Sequence, residues 1–293
     1  MPQQPVFRFA PSPNGRLHLG HALSALTGAA WAKRLGGRFL VRLEDFDTAR
    51  ARPAFAAAAL EDLTWLGLTW EQPVLRQSEH TRVYRDAAQR LTDMGLLYRC
   101  FATRSEIEAA ATPGAVDPDG APMYPGLHKG LGDAAIAARI ALGEPFCLRL
   151  DLDRALAAVA AKLHGRPLAF TELDADGRAR RVAADAARWG DAVIVRKDAP
   201  ASYHLAVVVD DARQGVTHVT RGLDLFAATD VHRLLQALLD LPEPVYAHHG
   251  LIVGDDGRKL SKSQGATSLA TLRAQGVSAT DVRRRLGFDD DAI

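Results

Sequence analysis

The segment that organises this chain is residues 8–21, whose sequence is RFAPSPNGRLHLGH. The β-forming residues at its start predict a short strand, and the Pro-Ser-Pro-Asn-Gly run that follows is typical of a turn. From Leu19 to Leu35 the apolar residues recur at the spacing of a helix. A strand that turns through glycine onto a helix N-terminus is a common phosphate-binding arrangement, because free N–H groups and the positive end of the helix dipole meet the anion there.

Two histidines, His18 and His21, lie at the start of this predicted helix. Their i, i+3 spacing places them on one helical face, where each can donate a hydrogen bond to a phosphate oxygen. Gly20, between them, has no side chain and lets a flat ring approach the backbone. The alternative is a structural loop with two surface histidines, and this motif alone does not exclude it.

A second segment, residues 254–263, is a glycine-flanked loop with Lys259 and Lys262 in a Lys-Leu-Ser-Lys-Ser run. Ammonium groups on such a loop can neutralise the charge that builds up on a pyrophosphate as it leaves. The alternative for this loop is a flexible basic surface segment. Together, the two segments indicate an ATP site more strongly than either does alone.

Composition limits the class of protein. The 293 residues correspond to one large domain or a domain with an insertion, and 47% hydrophobic content is enough for a full core. The net charge of only +1 means that any nucleic-acid contact is local. Cys100 and Cys147, the only cysteines, favour a reducing compartment over a disulfide scaffold. With no signal-peptide pattern and no membrane-spanning run, we expect a cytoplasmic protein with no membrane contact. The near-neutral charge and the lack of an obvious exposed apolar run predict a monomer.

The order of predicted elements indicates an α/β fold, a Rossmann-like doubly wound parallel sheet with an inserted α+β subdomain. We expect residues 1–99 to form the first half of this catalytic body and residues 191–250 the second half. Residues 100–190 change in character, with a loop rich in Pro, Gly and Asp and short strand-like pieces, and are expected to form the insertion. Residues 251–293 are expected to hold the lysine loop and a C-terminal helical segment.

Three further segments allow two interpretations each. Glu44 and the acidic residues after it follow a predicted strand at 38–43; they are either ligand-binding groups at its carboxyl end or a solvated turn. Residues 202–211 favour a strand by propensity, which an active-site segment can override. His248 and His249 are adjacent, so they cannot share a helix face, and we interpret them as structural and not as metal ligands.

The first segment resembles the HIGH signature of class I aminoacyl-tRNA synthetases, and KLSKS at 259–263 resembles their KMSKS signature. Finding both in order is far more specific than finding one. Further runs resemble the glutamyl branch of that family: RFAPSP at 8–13, VRLEDFD at 41–47, YHLA at 203–206, VVDD at 208–211 and GVTHVTRG at 215–222. The resemblance covers nearly the whole chain.

This resemblance implies that a carboxylate of L-glutamate attacks the α-phosphate of ATP, which Mg²⁺ accompanies, to give glutamyl-adenylate and pyrophosphate. It implies three catalytic residues: His18, His21 and Lys262. It assigns ATP binding to His18, Gly20, His21, Lys259 and Lys262. It assigns glutamate binding to Arg8, Ala10, Ser12, Glu44, Tyr203 and Arg221. Arginine forks suit carboxylates and Glu44 suits the α-ammonium group.

Length separates two members of this branch. Bacterial glutamyl-tRNA synthetases continue past the KMSKS loop into a helical anticodon-binding domain, for which we expect no room here. The chain therefore resembles the glutamyl-Q tRNA(Asp) synthetases, truncated paralogues that transfer glutamate to queuosine at the wobble position. This implies the tRNA(Asp) anticodon stem-loop carrying queuosine as partner. The alternatives are a truncated synthetase charging tRNA(Glu), a small-molecule nucleotidylyltransferase, and a catalytically silent RNA-binding paralogue.

A zinc site is common in the insertion of this family, built from a C-x-C pair, a tyrosine and a later cysteine. The matching positions here are Cys100, Tyr124 and His128, with Ala102 at a lost ligand position. Structural zinc sites are usually closed by four ligands, and alanine cannot ligate a metal. We therefore expect no zinc in this degenerate site.

Overall fold

The computed structural model describes residues 4–252 and 267–289. The strands are β1 (Val6–Phe9), β2 (Arg38–Leu43), β3 (Glu71–Arg76), β4 (Leu97–Cys100), β5 (Cys147–Leu150), β6 (Ala169–Leu173), β7 (Ala179–Ala183), β8 (Val193–Val195), β9 (His218–Gly222) and β10 (Val245–His249). The helices are α1 (Leu19–Arg34), α2 (Pro53–Trp65), α3 (Thr81–Asp93), α4 (Arg104–Ala110), α5 (Asp133–Ala141), α6 (Leu152–Lys162), α7 (Tyr203–Arg213), α8 (Ala228–Leu238), α9 (Leu269–Ala274) and α10 (Ala279–Arg285). Within those described ranges, no helix has the length and apolar character needed to cross a bilayer.

Within the described residues, seven strands form one sheet in the order β3-β2-β1-β9-β10-β6-β7. β1 pairs in parallel with β2 on one side and with β9 on the other, and β10 runs parallel to both β9 and β6. From β1 the order of the sheet runs to β2 and β3 on one side and to β9 and β10 on the other, so the strand order reverses between β1 and β9. Ligands of such sheets bind at this reversal, outside the carboxyl ends of the strands. The predicted α/β, Rossmann-like fold with a mostly parallel sheet is confirmed.

Helices cover both faces of this sheet with separate apolar clusters. One cluster joins β1 and β2 to α1 and α2, and it includes Leu63 and, from the C-terminal helices α9 and α10, Leu269 and Val282. The other joins α3, α6, α7 and α8 and includes Leu91 and Leu234. The C-terminal helices therefore extend the core of the first half of the chain.

Alternation along β1 decides where its arginine points. Phe7 and Phe9 are buried in the cluster that includes α1, whereas Val6 is buried in a different cluster. Because successive side chains of a strand point to opposite faces, Arg8 lies on the face of Val6, away from α1. Arg8 reaches the side chain of Asp211 in α7 there.

Residues 203–213 form helix α7, although propensity favours a strand at Val207–Val209. The side chain of Ser202 caps the helix by accepting a hydrogen bond from the N–H of Leu205. Every residue from Leu205 to Asp211 is buried, since the helix packs against α3 and α8. This tertiary packing overrides the β-propensity of the valines, so the strand favoured by propensity is wrong.

The sheets do not follow the predicted boundaries of the insertion at 100–190. β6 and β7 fall inside that range but belong to the large sheet, because β6 pairs with β10 and β7 pairs back onto β6. β8 falls in the predicted second half at 191–250, yet it pairs with β5, which pairs with β4, in a separate antiparallel sheet. β6 thereby brings residues of the predicted insertion into the large sheet, beside β10.

Candidate active site

A cleft of about 870 Å³ opens where β1 turns into α1. Its walls also include residues at the ends of β9 and β10, at the start of α7 and just after β2. Every residue within the described ranges that was predicted to bind ATP or glutamate lines this cleft: Arg8, Ala10, Ser12, His18, Gly20, His21, Glu44, Tyr203 and Arg221. The predicted Lys259 and Lys262 lie outside the described residues.

The two histidines form a reciprocal cap on the N-terminus of α1. His18 Nδ1 accepts a hydrogen bond from the N–H of Gly20 at 3.1 Å, and His21 Nδ1 accepts from the N–H of His18 at 3.2 Å. Since Nδ1 is the acceptor in both rings, the proton of each neutral imidazole is on Nε2. A Cβ on Gly20 would lie 3.0 Å from His18 Cε1, so any larger residue there would press against the capping ring. In this tautomer each ring carries its N–H on Nε2, where it is able to donate a hydrogen bond.

A chain of buried charges runs beside Arg8. Arg8 Nε donates to Asp211 Oδ1 at 3.0 Å, and Arg42 Nη1 donates to the same oxygen at 2.8 Å. Arg42 Nη2 reaches Glu44 Oε1 at 3.5 Å, and the Arg42 side chain is fully buried. The carboxylate of Asp211 thus accepts from two arginines, and the second of these, Arg42, also contacts Glu44 in the wall of the cleft.

Burial and these arginines act in opposite directions on the two carboxylates. Burial raises the pKa of Asp211, but Arg8 and Arg42 outweigh it and hold that pKa below its usual range. Burial raises the pKa of Glu44 to about 7, although Arg42 and Arg8 partly oppose the rise. Asp211 is therefore a permanent anion at neutral pH, whereas Glu44 titrates near neutrality.

Arg221, at the end of β9, is surrounded by neutral groups. Its Nε donates to His248 Nε2 at 3.0 Å, its Nη1 to His232 Nδ1 at 3.1 Å, and its Nη2 to Thr229 Oγ1 at 2.7 Å. A longer contact of 3.4 Å joins Nη1 to the Tyr203 hydroxyl. Within the described ranges, none of the groups that accept from this buried guanidinium is a carboxylate.

The imidazoles around Arg221 stay neutral. Burial lowers the pKa of His232 well below its ordinary value, and the charge of Arg221 lowers it further. Burial also lowers the pKa of His248, although Glu172 opposes the change. Neutral acceptors therefore orient Arg221 without cancelling its charge.

Residues 6–288 match the family described as tRNA synthetases class I (E and Q), catalytic domain. The matched range includes the histidine-capped helix, Arg8, Glu44 and Arg221. The chain belongs to this family. It is therefore an enzyme of the ligase type.

Relatives of this synthetase domain fall into two groups. The glutamyl-Q tRNA(Asp) synthetase of Rhodobacter capsulatus is 47% identical, over 97% of this chain and 100% of that protein. The glutamate–tRNA ligase of Prochlorococcus marinus is 38% identical, over 93% of this chain and 55% of that protein. The crystal structure of the glutamate–tRNA synthetase from Elizabethkingia anophelis superposes with a TM-score of 0.69 and 26% identity, covering 90% of this chain and 53% of that one. This synthetase domain thus spans about half the length of the latter two proteins.

Several residues that hold the site in this synthetase were not among the predicted site residues. Arg42 and Asp211 lie in the runs that resemble the glutamyl branch, and a buried charge within such a run was the signal available. His232 and Thr229 lie on α8, outside those runs, and only the tertiary structure brings them to Arg221. His248, interpreted as structural, is in direct contact with the same arginine.

The degenerate zinc position of this synthetase holds hydrogen bonds where a metal would need ligands. Cys100 Sγ lies 3.3 Å from Tyr124 Oη, and His128 Nδ1 accepts from the backbone N–H groups of Phe101 and Ala102 at 3.2 Å each. In the part of the chain that the structure describes, no three His, Cys, Asp or Glu side chains are placed to share a metal ion. The residues present do not fit a structural zinc site, because Ala102 has no ligand atom and His128 Nδ1 is engaged.

Proposed function

We propose that this enzyme activates L-glutamate with ATP in the absence of tRNA and then transfers the glutamyl group to queuosine at the wobble position of tRNA(Asp). The observation that carries the amino-acid assignment is Arg221, a buried cation whose acceptors in the described ranges are all neutral. A buried charge is costly unless it is compensated, so such a group favours an anionic ligand. A substrate with a side-chain carboxylate supplies that anion.

The polar groups of glutamate match those of the cleft. Arg8 and Arg221 supply cations for carboxylates, and Glu44, once ionised, supplies an anion for the α-ammonium group. Ser12 and Tyr203 add hydroxyl groups, and Ala10 adds backbone groups. We assign Arg221 to the side-chain carboxylate, because an arginine clamped onto the reacting carboxylate would weaken it as a nucleophile.

ATP is placed at the N-terminus of α1 in this proposal. Nε2–H groups of His18 and His21 donate to phosphate oxygens, and Gly20 leaves space for the adenine ring. Lys259 and Lys262 neutralise the leaving pyrophosphate, and Mg²⁺ accompanies the nucleotide. Catalysis then rests on positioning and charge neutralisation, as is usual in phosphoryl-centre chemistry.

The reaction has two steps. The α-carboxylate oxygen of glutamate forms a bond to the α-phosphorus of ATP while the bond from that phosphorus to pyrophosphate breaks, which gives glutamyl-adenylate. A hydroxyl of the queuosine cyclopentenediol then attacks the glutamyl carbonyl carbon. AMP leaves, the hydroxyl loses its proton, and an ester forms.

The choice of tRNA is supported by the relatives. Identity to a glutamyl-Q tRNA(Asp) synthetase is higher, at 47%, than to a glutamate–tRNA ligase, at 38%. Charging of tRNA(Glu) is the second candidate, because both kinds of relative belong to one family and the proposed catalytic chemistry is common to both.

The test is transfer of labelled glutamate to tRNA(Asp) with queuosine, the same tRNA without queuosine, and tRNA(Glu). We expect labelling of the queuosine-containing tRNA alone, and glutamate-dependent ATP–pyrophosphate exchange with no tRNA present. Charging of tRNA(Glu) alone would establish the second candidate instead. Absence of exchange with glutamate would contradict the activation step itself.

A further inference from the structure

Glu172 is a buried carboxylate of β6 that faces His248 and does not line the cleft. Its Oε1 and Oε2 lie 3.1 and 3.0 Å from His248 Nδ1, and Oε1 also accepts the backbone N–H of His248 at 3.0 Å. The side chain of His248 is fully buried. Glu172 therefore contacts Arg221 only through an imidazole.

The hydrogen bonds on the two sides of His248 select one tautomer. An ionised carboxylate only accepts, so the proton of His248 is on Nδ1. A guanidinium only donates, so Nε2 of His248 must carry a lone pair to accept from Arg221 Nε. With the proton on Nε2 instead, two N–H donors would face each other at 3.0 Å. Glu172 thus makes His248 an acceptor for Arg221.

The other imidazole on Arg221 is arranged differently. His232 accepts from Arg221 at Nδ1, so its Nε2–H donates to His204 Nδ1 at 3.2 Å. Burial, helped by the charge of Arg221, lowers the pKa of His204 to about 4, so this second ring is neutral as well. The imidazole of His232 is therefore hydrogen-bonded to a neutral ring, whereas the imidazole of His248 is hydrogen-bonded to the carboxylate of Glu172.

A carboxylate behind an imidazole has a consequence that a direct ion pair lacks. A carboxylate in direct contact with Arg221 would cancel the positive charge that attracts a substrate carboxylate, which the neutral acceptors do not. Through His248, Glu172 fixes the direction of the guanidinium while the carboxylate itself stays out of the cleft. Metal sites use the same device when a carboxylate orients a ligating histidine.

We propose that Glu172 is a positioning residue of the amino-acid site, which holds His248 in the Nδ1–H tautomer and thereby fixes Arg221 for the side-chain carboxylate of the substrate. The inference rests on the proposed function, in which that substrate is glutamate. It assigns a role to His248 that the sequence left as structural. It also explains why a carboxylate is buried on β6, behind the cleft wall.

The kinetic test compares Glu172→Gln with Glu243→Gln in glutamate-dependent ATP–pyrophosphate exchange. Glu243 is the matched control, since it pairs with Arg181 and Arg233 and does not touch His248. We expect Glu172→Gln to raise KM for glutamate roughly tenfold, the scale of one hydrogen bond to a charged group. KM for ATP stays within about twofold, and the control changes neither value.

The spectroscopic test measures the tautomer itself by ¹⁵N NMR of histidine-labelled wild-type protein, with His248→Asn for assignment. We expect the Nδ1–H form in the wild type and a smaller fraction of it in Glu172→Leu, which removes both acceptor oxygens, whereas the amide oxygen of a glutamine can still accept from Nδ1–H. A role limited to joining β6 and β10 would not change this signal. The measurement on the wild type needs no variant to fold.

Three outcomes would overturn the inference. They are an Nε2–H tautomer of His248 in the wild type, an unchanged KM for glutamate in Glu172→Gln, and a parallel rise of both KM values with a lower Tm. A wild-type enzyme without glutamate-dependent exchange contradicts the proposed function instead, and the NMR measurement still decides whether the relay exists.

Discussion

Arg8 and Arg221 are both buried arginines of one cleft, and the chain surrounds them with opposite chemistry. Arg8 lies on the carboxylate of Asp211, which Arg42 shares. Arg221 donates to two imidazoles, a phenol and a threonine hydroxyl. A paired arginine is already neutralised and serves mainly as an oriented donor, whereas one with neutral partners still attracts an anion. The difference supports the proposal that Arg221 binds the side-chain carboxylate of the substrate, while Arg8, whose charge Asp211 offsets, supplies oriented donors to the reacting α-carboxylate without holding it tightly.

The largest expected effect comes from removing the arginine with neutral partners. Arg221→Ala deletes the cation proposed for the side-chain carboxylate, so we expect kcat/KM for glutamate to fall about a thousandfold, near 4 kcal/mol. ATP–pyrophosphate exchange measures this, with circular dichroism to confirm the fold. Arg178→Ala, at an exposed position, is the matched control. Near-normal exchange in Arg221→Ala would contradict the assignment.

On the paired side, the expected loss is in stability. Asp211→Asn keeps the shape of the side chain but leaves Arg8 and Arg42 without the carboxylate they share. Breaking a buried ion pair by removing one partner typically costs about 3 kcal/mol or more of unfolding free energy. Urea unfolding measures it, with Asp176→Asn on the surface as the control. Equal unfolding free energies in variant and wild type would mean that Asp211 does not organise these arginines.

The contrast between the two arginines was only partly predictable from sequence. Local pattern predicted the strand–turn–helix around His18 and the strand before Glu44, because both depend on turn residues and periodicity within a short segment. Local pattern failed at Val207–Val209. Burial of this helix against two others removes the polar residues at helical spacing by which an amphipathic helix is recognised. Arg8 and Arg221 were predicted, but not their partners, since those contacts join strands and helices far apart in the chain.

The adjacent histidines His248 and His249 also show that contacts between distant segments were not predictable from local sequence. Two adjacent histidines cannot share a helix face, and on this ground both were interpreted as structural. They lie on β10, where adjacent side chains point to opposite faces. His248 accordingly reaches Arg221, and His249 Nε2 lies 2.8 Å from Ser24 Oγ and lines the cleft.

The groups around the two arginines also differ in their titration: Glu44, on the side of Arg8 and Arg42, titrates near neutral pH, whereas the imidazoles on Arg221 do not. The pKa of Glu44 is raised to about 7, and only its ionised form, present above that pH, pairs with an ammonium group. We expect the apparent affinity for glutamate to fall about tenfold between pH 8 and pH 6 as Glu44 becomes protonated. The imidazoles on Arg221 have pKa values lowered by burial, so they stay neutral over this range.

The measurement is KM for glutamate against pH in the exchange reaction. Glu44→Gln removes the titrating group, so its weaker binding should show no pH dependence in this window. A profile of the same slope in Glu44→Gln would assign the titration to another group. A wild-type profile that is flat from pH 6 to pH 8 would mean that Glu44 is ionised throughout.

The smallest expected effect concerns one acceptor of Arg221. Thr229→Val removes the hydroxyl that accepts from Nη2 at 2.7 Å while it keeps the shape of the side chain. The lost bond leaves one N–H of a buried cation without its acceptor, so we expect KM for glutamate to rise about fivefold, near 1 kcal/mol. Thr229→Ser, which retains the hydroxyl, should bind glutamate like the wild type. If valine and serine behave alike, the hydroxyl does not orient Arg221, and the imidazoles alone hold the guanidinium in place.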